Sequence, residues 1–263
     1  MKFSRKIKIG IVTTLGLSAM LAAGCSGGGG TVIIGGSSTV QPLSESWTEA
    51  FIADNPDVDI SVQGGGSSAG VKGAGDGTLD IGAASREMKS EEASTFPNLV
   101  VHHVAADGVA IVVHPGSAVA DLTLAEIRDI FAAGSNDEWT VINREEGSGT
   151  REVYEEIVMG GVKVAPNAEF LPSNGAVKQK VASTENAIGY ISLGYVDSSV
   201  KATKVDGVVC SEDNVIDGSY PVMRYLNYIT DGEPEGTVKD YIDFCLSSRG
   251  QQIAADEGYI KLG

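Results

Sequence analysis

From Thr31 onward, short runs rich in β-branched residues alternate with stretches whose apolar residues recur every three or four positions. That alternation narrows the fold more than any other feature. Strands that alternate with helices bury their apolar faces best as helices layered on a largely parallel sheet. Thr31–Ile34 reads as a strand, and Val40, Leu43, Trp47, Ala50 and Phe51 share one helical face. Val58–Val62 and Leu79–Ala83 are again strand-like, and Leu99–Val113 holds two β-rich runs around Ala105-Ala106-Asp107-Gly108. Thr123-Leu124-Ala125-Glu126 has the Thr-x-x-Glu spacing of a capping box, so a helix starts there and runs to about Phe131. Strand–helix pairs follow over Trp139–Val158 and Glu169–Val181, then a β-rich run Tyr220–Ile229 and two helices, Val238–Ser248 and Gly250–Glu257. The fold class is α/β.

Three strand-to-helix junctions share one composition: Gly35-Gly36-Ser37-Ser38-Thr39, Gly64-Gly65-Gly66-Ser67-Ser68-Ala69-Gly70 and Arg144-Glu145-Glu146-Gly147-Ser148-Gly149-Thr150. Glycine lets the backbone turn tightly and come close to a ligand. A helix start offers unpaired N–H donors and a partial positive charge, to which Ser and Thr hydroxyls add. One such turn is explained by helix capping alone, since Ser and Thr are preferred N-caps. Three in one α/β chain, all beyond the carboxyl ends of strands, point to an oxyanion site. Arg144 would supply the full positive charge, with a planar fork suited to a tetrahedral oxyanion; a surface ion pair with Glu145 or Glu146 is the plainer alternative.

The first 30 residues stand apart from this pattern. Lys2, Arg5, Lys6 and Lys8 precede a short apolar run that ends in Leu21-Ala22-Ala23-Gly24-Cys25. A basic start, an apolar run too short for a bilayer and small residues before a cut site mark an export signal over residues 1–24. Leu-Ala-Ala-Gly-Cys resembles the lipobox of prokaryotic lipoproteins, which implies lipidation at Cys25. The Gly/Ser tract over residues 25–30 would then be a flexible tether. Loss of the leader moves the formal charge from −16 to −20, which disfavours nucleic acid and anionic membrane surfaces as partners. Local N–H groups and one Arg still suffice to hold an anion in an acidic protein. Cys210 and Cys245 form an even pair in an exported chain, which points to a disulfide, with two separate buried thiols as the plainer alternative. With only His102, His103 and His114, and no C-x-x-C, neither a metal site nor a cofactor is expected.

Gly-Ser-Ser-Thr-Val-Gln-Pro from Gly36, Gly-Gly-Gly-Ser-Ser-Ala-Gly-Val from Gly64, Asp-Ile-Gly-Ala-Ala-Ser-Arg from Asp80 and Arg-Glu-Glu-Gly-Ser-Gly-Thr-Arg from Arg144 resemble, in order, the phosphate-binding proteins of ABC transporters (PstS-like). The resemblance covers nearly the whole mature chain. It implies a type II periplasmic-binding-protein fold of two lobes around a cleft, with the chain crossing between them near Val104–Gly108 and Tyr220–Arg224. Lobe 1 would hold residues 31–106 and 223–263, and lobe 2 residues 107–222. Carried over, Ser38, Thr39, Val40, Ser67, Arg144, Ser148, Gly149 and Thr150 would bind phosphate, and Glu146 would orient Arg144.

One position departs from the family pattern. The third block ends in Ser85-Arg86, where relatives carry an Asp that accepts the proton of hydrogen phosphate. Ser85 could accept through its lone pairs, or Asp107 could serve, while Arg86 is either a second cation near the ligand or a domain-surface ion pair. Sulfate, which carries no proton, and molybdate or tungstate remain alternative cargoes. The partners implied are phosphate and the permease and ATPase of an importer, with a lipid anchor at the outer face of the membrane or in the periplasm and a monomeric carrier. A different class is a serine hydrolase, because Gly66-Ser67-Ser68-Ala69-Gly70 matches the G-x-S-x-G elbow. The last histidine, His114, follows Ser68 by only 46 residues, which fits that order of partners poorly, so no enzyme is expected. A surface scavenger without a transporter is the third class.

Overall fold

A computed structural model describes residues 30–262; the leader, Cys25 and all but the last glycine of the tract lie outside the described residues. The chain runs β1 (Thr31–Gly36), α1 (Gln41–Asp54), β2 (Asp59–Gly64), α2 (Ser67–Gly75), β3 (Ile81–Ala84), α3 (Ser90–Thr95) and β4 (Leu99–Val113). It continues through β5 (Asp121–Leu122), α4 (Leu124–Ala133), β6 (Thr140–Arg144) and α5 (Gly149–Tyr154), which passes into a π-helical turn, Glu155–Met159. Then come β7 (Glu169–Leu171), α6 (Asn174–Ser183), β8 (Ala187–Ser192), a 3-10 turn (Leu193–Tyr195), β9 (Lys201–Ala202), β10 (Lys204–Val205), α7 (Glu212–Ile216), β11 (Met223–Asp231), α8 (Gly236–Leu246) and α9 (Ser248–Asp256).

Local chemistry starts these helices where the residue pattern predicts. The Thr123 hydroxyl accepts from the Glu126 amide (3.2 Å), and the Glu126 carboxylate accepts from the Thr123 amide (2.8 Å), which completes the capping box of α4. Ser148 and Ser173 cap α5 and α6 through the amides of Arg151 and Ala176. Pro42 in the first turn of α1 sits where a missing N–H costs nothing.

Nine strands share one sheet in the order β2-β1-β3-β11-β4-β8-β6-β7, with β9 on β4. The flanks are parallel, as the alternation predicts: β1 with β2 and β3, and β6 with β7 and β8. The centre is antiparallel, because β4 pairs with β11 along its first part and with β8 along its last. β4 is one unbroken 15-residue strand that contains both β-rich runs. Ala105-Ala106-Asp107-Gly108 stays extended because Leu226, Tyr225, Arg224 and Met223 lie opposite it in the ladder.

Apolar side chains gather into two main cores. One holds Val32, Ile34, Leu43, Trp47, Ile81, Leu226, Tyr228 and Tyr241. The other holds Val109, Ile111, Phe131, Ile142, Tyr154, Ile188, Tyr190 and Val222. This partition corrects the disulfide expectation. Cys245 is buried in the first core and Cys210 in the second, and both are free thiols. Burial, with Asp107 nearby, pushes the Cys210 thiol up to about 12, and burial raises Cys245 as well. Two separately buried thiols cannot reach each other.

Candidate functional site

The three Gly–Ser/Thr turns come together between the two cores. Gly36 (φ +129) turns the chain out of β1 so tightly that a Cβ there would lie 2.3 Å from the Ala83 carbonyl oxygen and 2.6 Å from the Gly70 Cα. Only glycine fits, and the result places the starts of α1 and α2 beside the end of β3. Ser37, Ser38, Thr39, Val40, Ser67 and Ser85 are all buried there. Ser37 donates to the Ser85 hydroxyl (3.0 Å), Ser67 lies 3.4 Å from the same oxygen, and the Ser85 amide donates to Ser67 (3.0 Å).

The start of α5 meets this cluster from the other core. The Thr150 and Thr39 hydroxyls are 3.0 Å apart, Arg144 Nη2 donates to the Ser38 hydroxyl (3.1 Å), and the Ser68 amide donates to the Gly147 carbonyl (3.1 Å). A Cβ on Gly149 would stand 2.3 Å from Ser67 Oγ and 2.8 Å from Ser85 Oγ, so only glycine lets the start of α5 come this close to the hydroxyl cluster. Ser148 is buried, and its hydroxyl caps α5.

Arg144 is the charge of the cluster. It is 1% exposed, and Glu145, not Glu146, holds it: Nε and Nη2 each donate to the Glu145 carboxylate at 2.8 Å. Glu146 is exposed to solvent. The adjacent residue wins because Arg144 ends β6 and Glu145 starts the turn, which folds its carboxylate back over the guanidinium. Arg144 Nη1 is buried with no hydrogen-bond partner among the described residues. An unpaired buried donor on a cation is costly and calls for an anionic acceptor.

The remaining expected residues have other partners. Asp107, fully buried, accepts from Arg224 Nε (2.9 Å) and Nη2 (2.7 Å), from the Ser192 hydroxyl (2.8 Å) and from the Leu193 amide (3.1 Å). Arg86 makes a two-pronged pair with Glu92 (2.8 and 2.7 Å), an ion pair with Glu152 (2.6 Å) and a bond to the Ser68 hydroxyl (3.0 Å). It is an ion-pair centre beside the hydroxyl cluster. Ser68 thus bonds an arginine, whereas the rings of His102, His103 and His114 bond Thr230, Asn227 and the Gly116 amide. Among the described residues no group of three His, Cys, Asp or Glu could hold a metal.

Several contributors escaped the sequence reading. Asn174 Nδ2 donates to the Thr39 hydroxyl (2.8 Å), Arg224 Nη2 approaches the same oxygen (3.4 Å), and Tyr195 donates to the Ser38 carbonyl (2.6 Å). Burial raises the Tyr195 phenol to about 12, so it stays a donor at neutral pH. Leu171-Pro172-Ser173-Asn174-Gly175 is a fourth strand–Ser–Gly–helix junction, a signal that could have identified Asn174. Arg224 lies within a plain β-rich run and carries no such signal.

Comparison with known proteins agrees with this geometry. The profile of the PBP superfamily domain matches residues 22–249. Phosphate-binding protein PstS of Bacillus subtilis is 32% identical over 284 residues, covering 97% of this chain and 94% of that protein. The chain is a PstS-type member of the periplasmic-binding-protein superfamily. Among solved PstS-type structures, a substrate-binding protein assigned to a phosphate ABC transporter of Clostridium perfringens, crystallised with bound phosphate, is 41% identical. Its TM-score is 0.83, and the match covers 89% of this chain and all (100%) of that one. An ABC-type phosphate transport receptor of Vibrio cholerae is 31% identical with a TM-score of 0.72, over 88% of this chain and 100% of that chain. The fold is therefore the type II architecture of these proteins, and β4 and β11 each run from one core to the other.

Proposed function

We propose that the chain is an extracytoplasmic, non-enzymatic carrier that captures inorganic phosphate between two lobes and delivers it to an ABC importer. The observation that carries this reading is Arg144, buried, bonded to Ser38 across the seam and left with one unpaired donor. Lobe 1 is residues 31–106 with 223–263, and lobe 2 is residues 107–222. Ser38, Thr39, Val40 and Ser67 bind from the first. Arg144, Ser148, Gly149 and Thr150 bind from the second. Closure is favoured by the ligand because only the closed form makes both sets of contacts. Ser85 is the acceptor for the phosphate proton, since the Asp107 carboxylate is already committed to Arg224, Ser192 and Leu193. Its place in this reading is at the hinge, and that of Arg86 is beside the site. Relatives named for phosphate binding support the choice of ligand.

Export and anchoring rest on the leader. Among the described residues no helix is long and apolar enough to cross a membrane, and Cys25 is the lipid attachment point in this reading. Cys25→Ser should abolish incorporation of labelled palmitate and release the chain from membranes. Titration calorimetry of the mature chain carrying that substitution, with phosphate, sulfate and molybdate from pH 5 to pH 8, tests the cargo. Binding of phosphate is expected; tight sulfate binding without a phosphate signal would replace phosphate with sulfate as the cargo.

A further inference from the structure

Glu152 lies in the first turn of α5, two residues beyond Thr150, and its carboxylate crosses the seam. Oε2 is 2.6 Å from Arg86 Nε and Oε1 is 2.9 Å from Lys89 Nζ. Both cations lie in the segment that follows β3 and Ser85, on the side of the first core. We propose that Glu152 is a closure latch: its ion pairs with Arg86 and Lys89 form when the lobes meet and set how long the captured anion is retained. This rests on the reading of the protein as a two-lobed carrier.

The two halves of the latch differ. Arg86 is 4% exposed and is already held by Glu92 and the Ser68 hydroxyl, all on its own side of the seam. Opening therefore removes Glu152 while Nη1 and Nη2 stay on Glu92, so the guanidinium keeps a carboxylate and avoids the situation that makes a broken buried pair expensive; Nε faces Glu152 at ion-pair distance without a hydrogen bond among the described residues. Glu152 itself is 23% exposed and returns to water when the lobes part. The pair is thus strong enough to bias closure and cheap enough to break. A cavity of about 560 Å³, lined by Arg86, Lys89, Glu152, Met223, Arg224 and Tyr225, flanks it. Water and salt reach the latch through that opening, so its strength should fall as ionic strength rises.

Glu152 also places a negative charge near the start of the helix proposed to hold the anion. Removing it should not slow anion entry. A latch role and a ligand-binding role are therefore separable: the latch acts on release. In the mature chain carrying Cys25→Ser, Glu152→Gln should raise the phosphate release rate about tenfold, with the association rate not reduced. Lys89→Met should act in the same direction and more weakly, because Lys89 is half exposed. Salt raised from roughly 0.05 to 1 M should accelerate release from the parent and leave the Glu152→Gln variant nearly unaffected. Small-angle scattering of the anion-free proteins should show the variant expanded relative to the parent, with equal unfolding midpoints. Unchanged release and an unchanged salt slope would overturn the latch. If the parent binds no phosphate, the cargo reading fails separately, and scattering alone decides: equal anion-free dimensions would sink the latch.

Discussion

Two buried arginines in this molecule look alike by burial and differ in what their partners leave over. Arg224 and Arg144 are 4% and 1% exposed, and each meets a carboxylate through Nε and Nη2. Asp107, opposite Arg224 in the ladder between β4 and β11, is fully buried and takes four donors in all. Arg224 spends its remaining donor on the Ser85 carbonyl (3.4 Å). Its Nη2 also reaches the Thr39 hydroxyl (3.4 Å), so each nitrogen of Arg224 has a partner, and the pair joins the two strands that both cores share. Arg144 is paired instead with Glu145, whose side chain is 27% exposed, and its Nη1 has no hydrogen-bond partner among the described residues. Burial of a cation thus does not separate the two; the donor that Arg144 leaves over, beside the hydroxyl cluster, does.

The sharpest way to break this comparison is to exchange the consequences. Arg224→Met leaves the Asp107 charge buried without its cation, which should cost about 3–5 kcal/mol of unfolding free energy in a denaturant titration. If the variant is as stable as the parent, the hinge pair is not the structural element described. Arg144→Ala should do the reverse: anion affinity should fall by at least about 100-fold, roughly 3 kcal/mol, with a much smaller loss of stability. Calorimetry and thermal melting on one sample would show it, and a variant that binds normally would place the site elsewhere.

A milder probe is Thr150→Val, which keeps the shape and removes the hydroxyl 3.0 Å from Thr39. Affinity should drop about five- to tenfold, near 1 kcal/mol, without a change in melting temperature. The smallest effect concerns acid. Burial raises the Glu92 carboxyl, but bonds from Arg86 and the Lys89 amide outweigh it and hold the folded-state value below 4.5. A depressed carboxylate stabilises the fold above its unfolded value and loses that contribution as pH falls. The stability gap between the parent and Glu92→Gln should therefore be widest near neutrality and shrink below roughly pH 4.5, as read from unfolding midpoints. A gap that grows on acidification would reverse the assignment.

The residues that could be read from the sequence are those whose chemistry is local. The capping box at Thr123, the strand–Gly–Ser–helix turns and the alternation of periods depend on neighbours within a few positions, so the pattern of residues already contains them. The order of the four glycine-bearing blocks was enough to suggest the family. The corrections are all long-range or conformational. Glu145 rather than Glu146 meets Arg144 because the turn after β6 folds back. Arg224 reaches Thr39 because β11 lies between β3 and β4. Cys210 and Cys245 remain apart because β4 and β11 divide the apolar residues into separate cores. Which surfaces face each other follows from strand order in the sheet, and strand order depends on the burial of the whole chain at once, which no short window of residues contains.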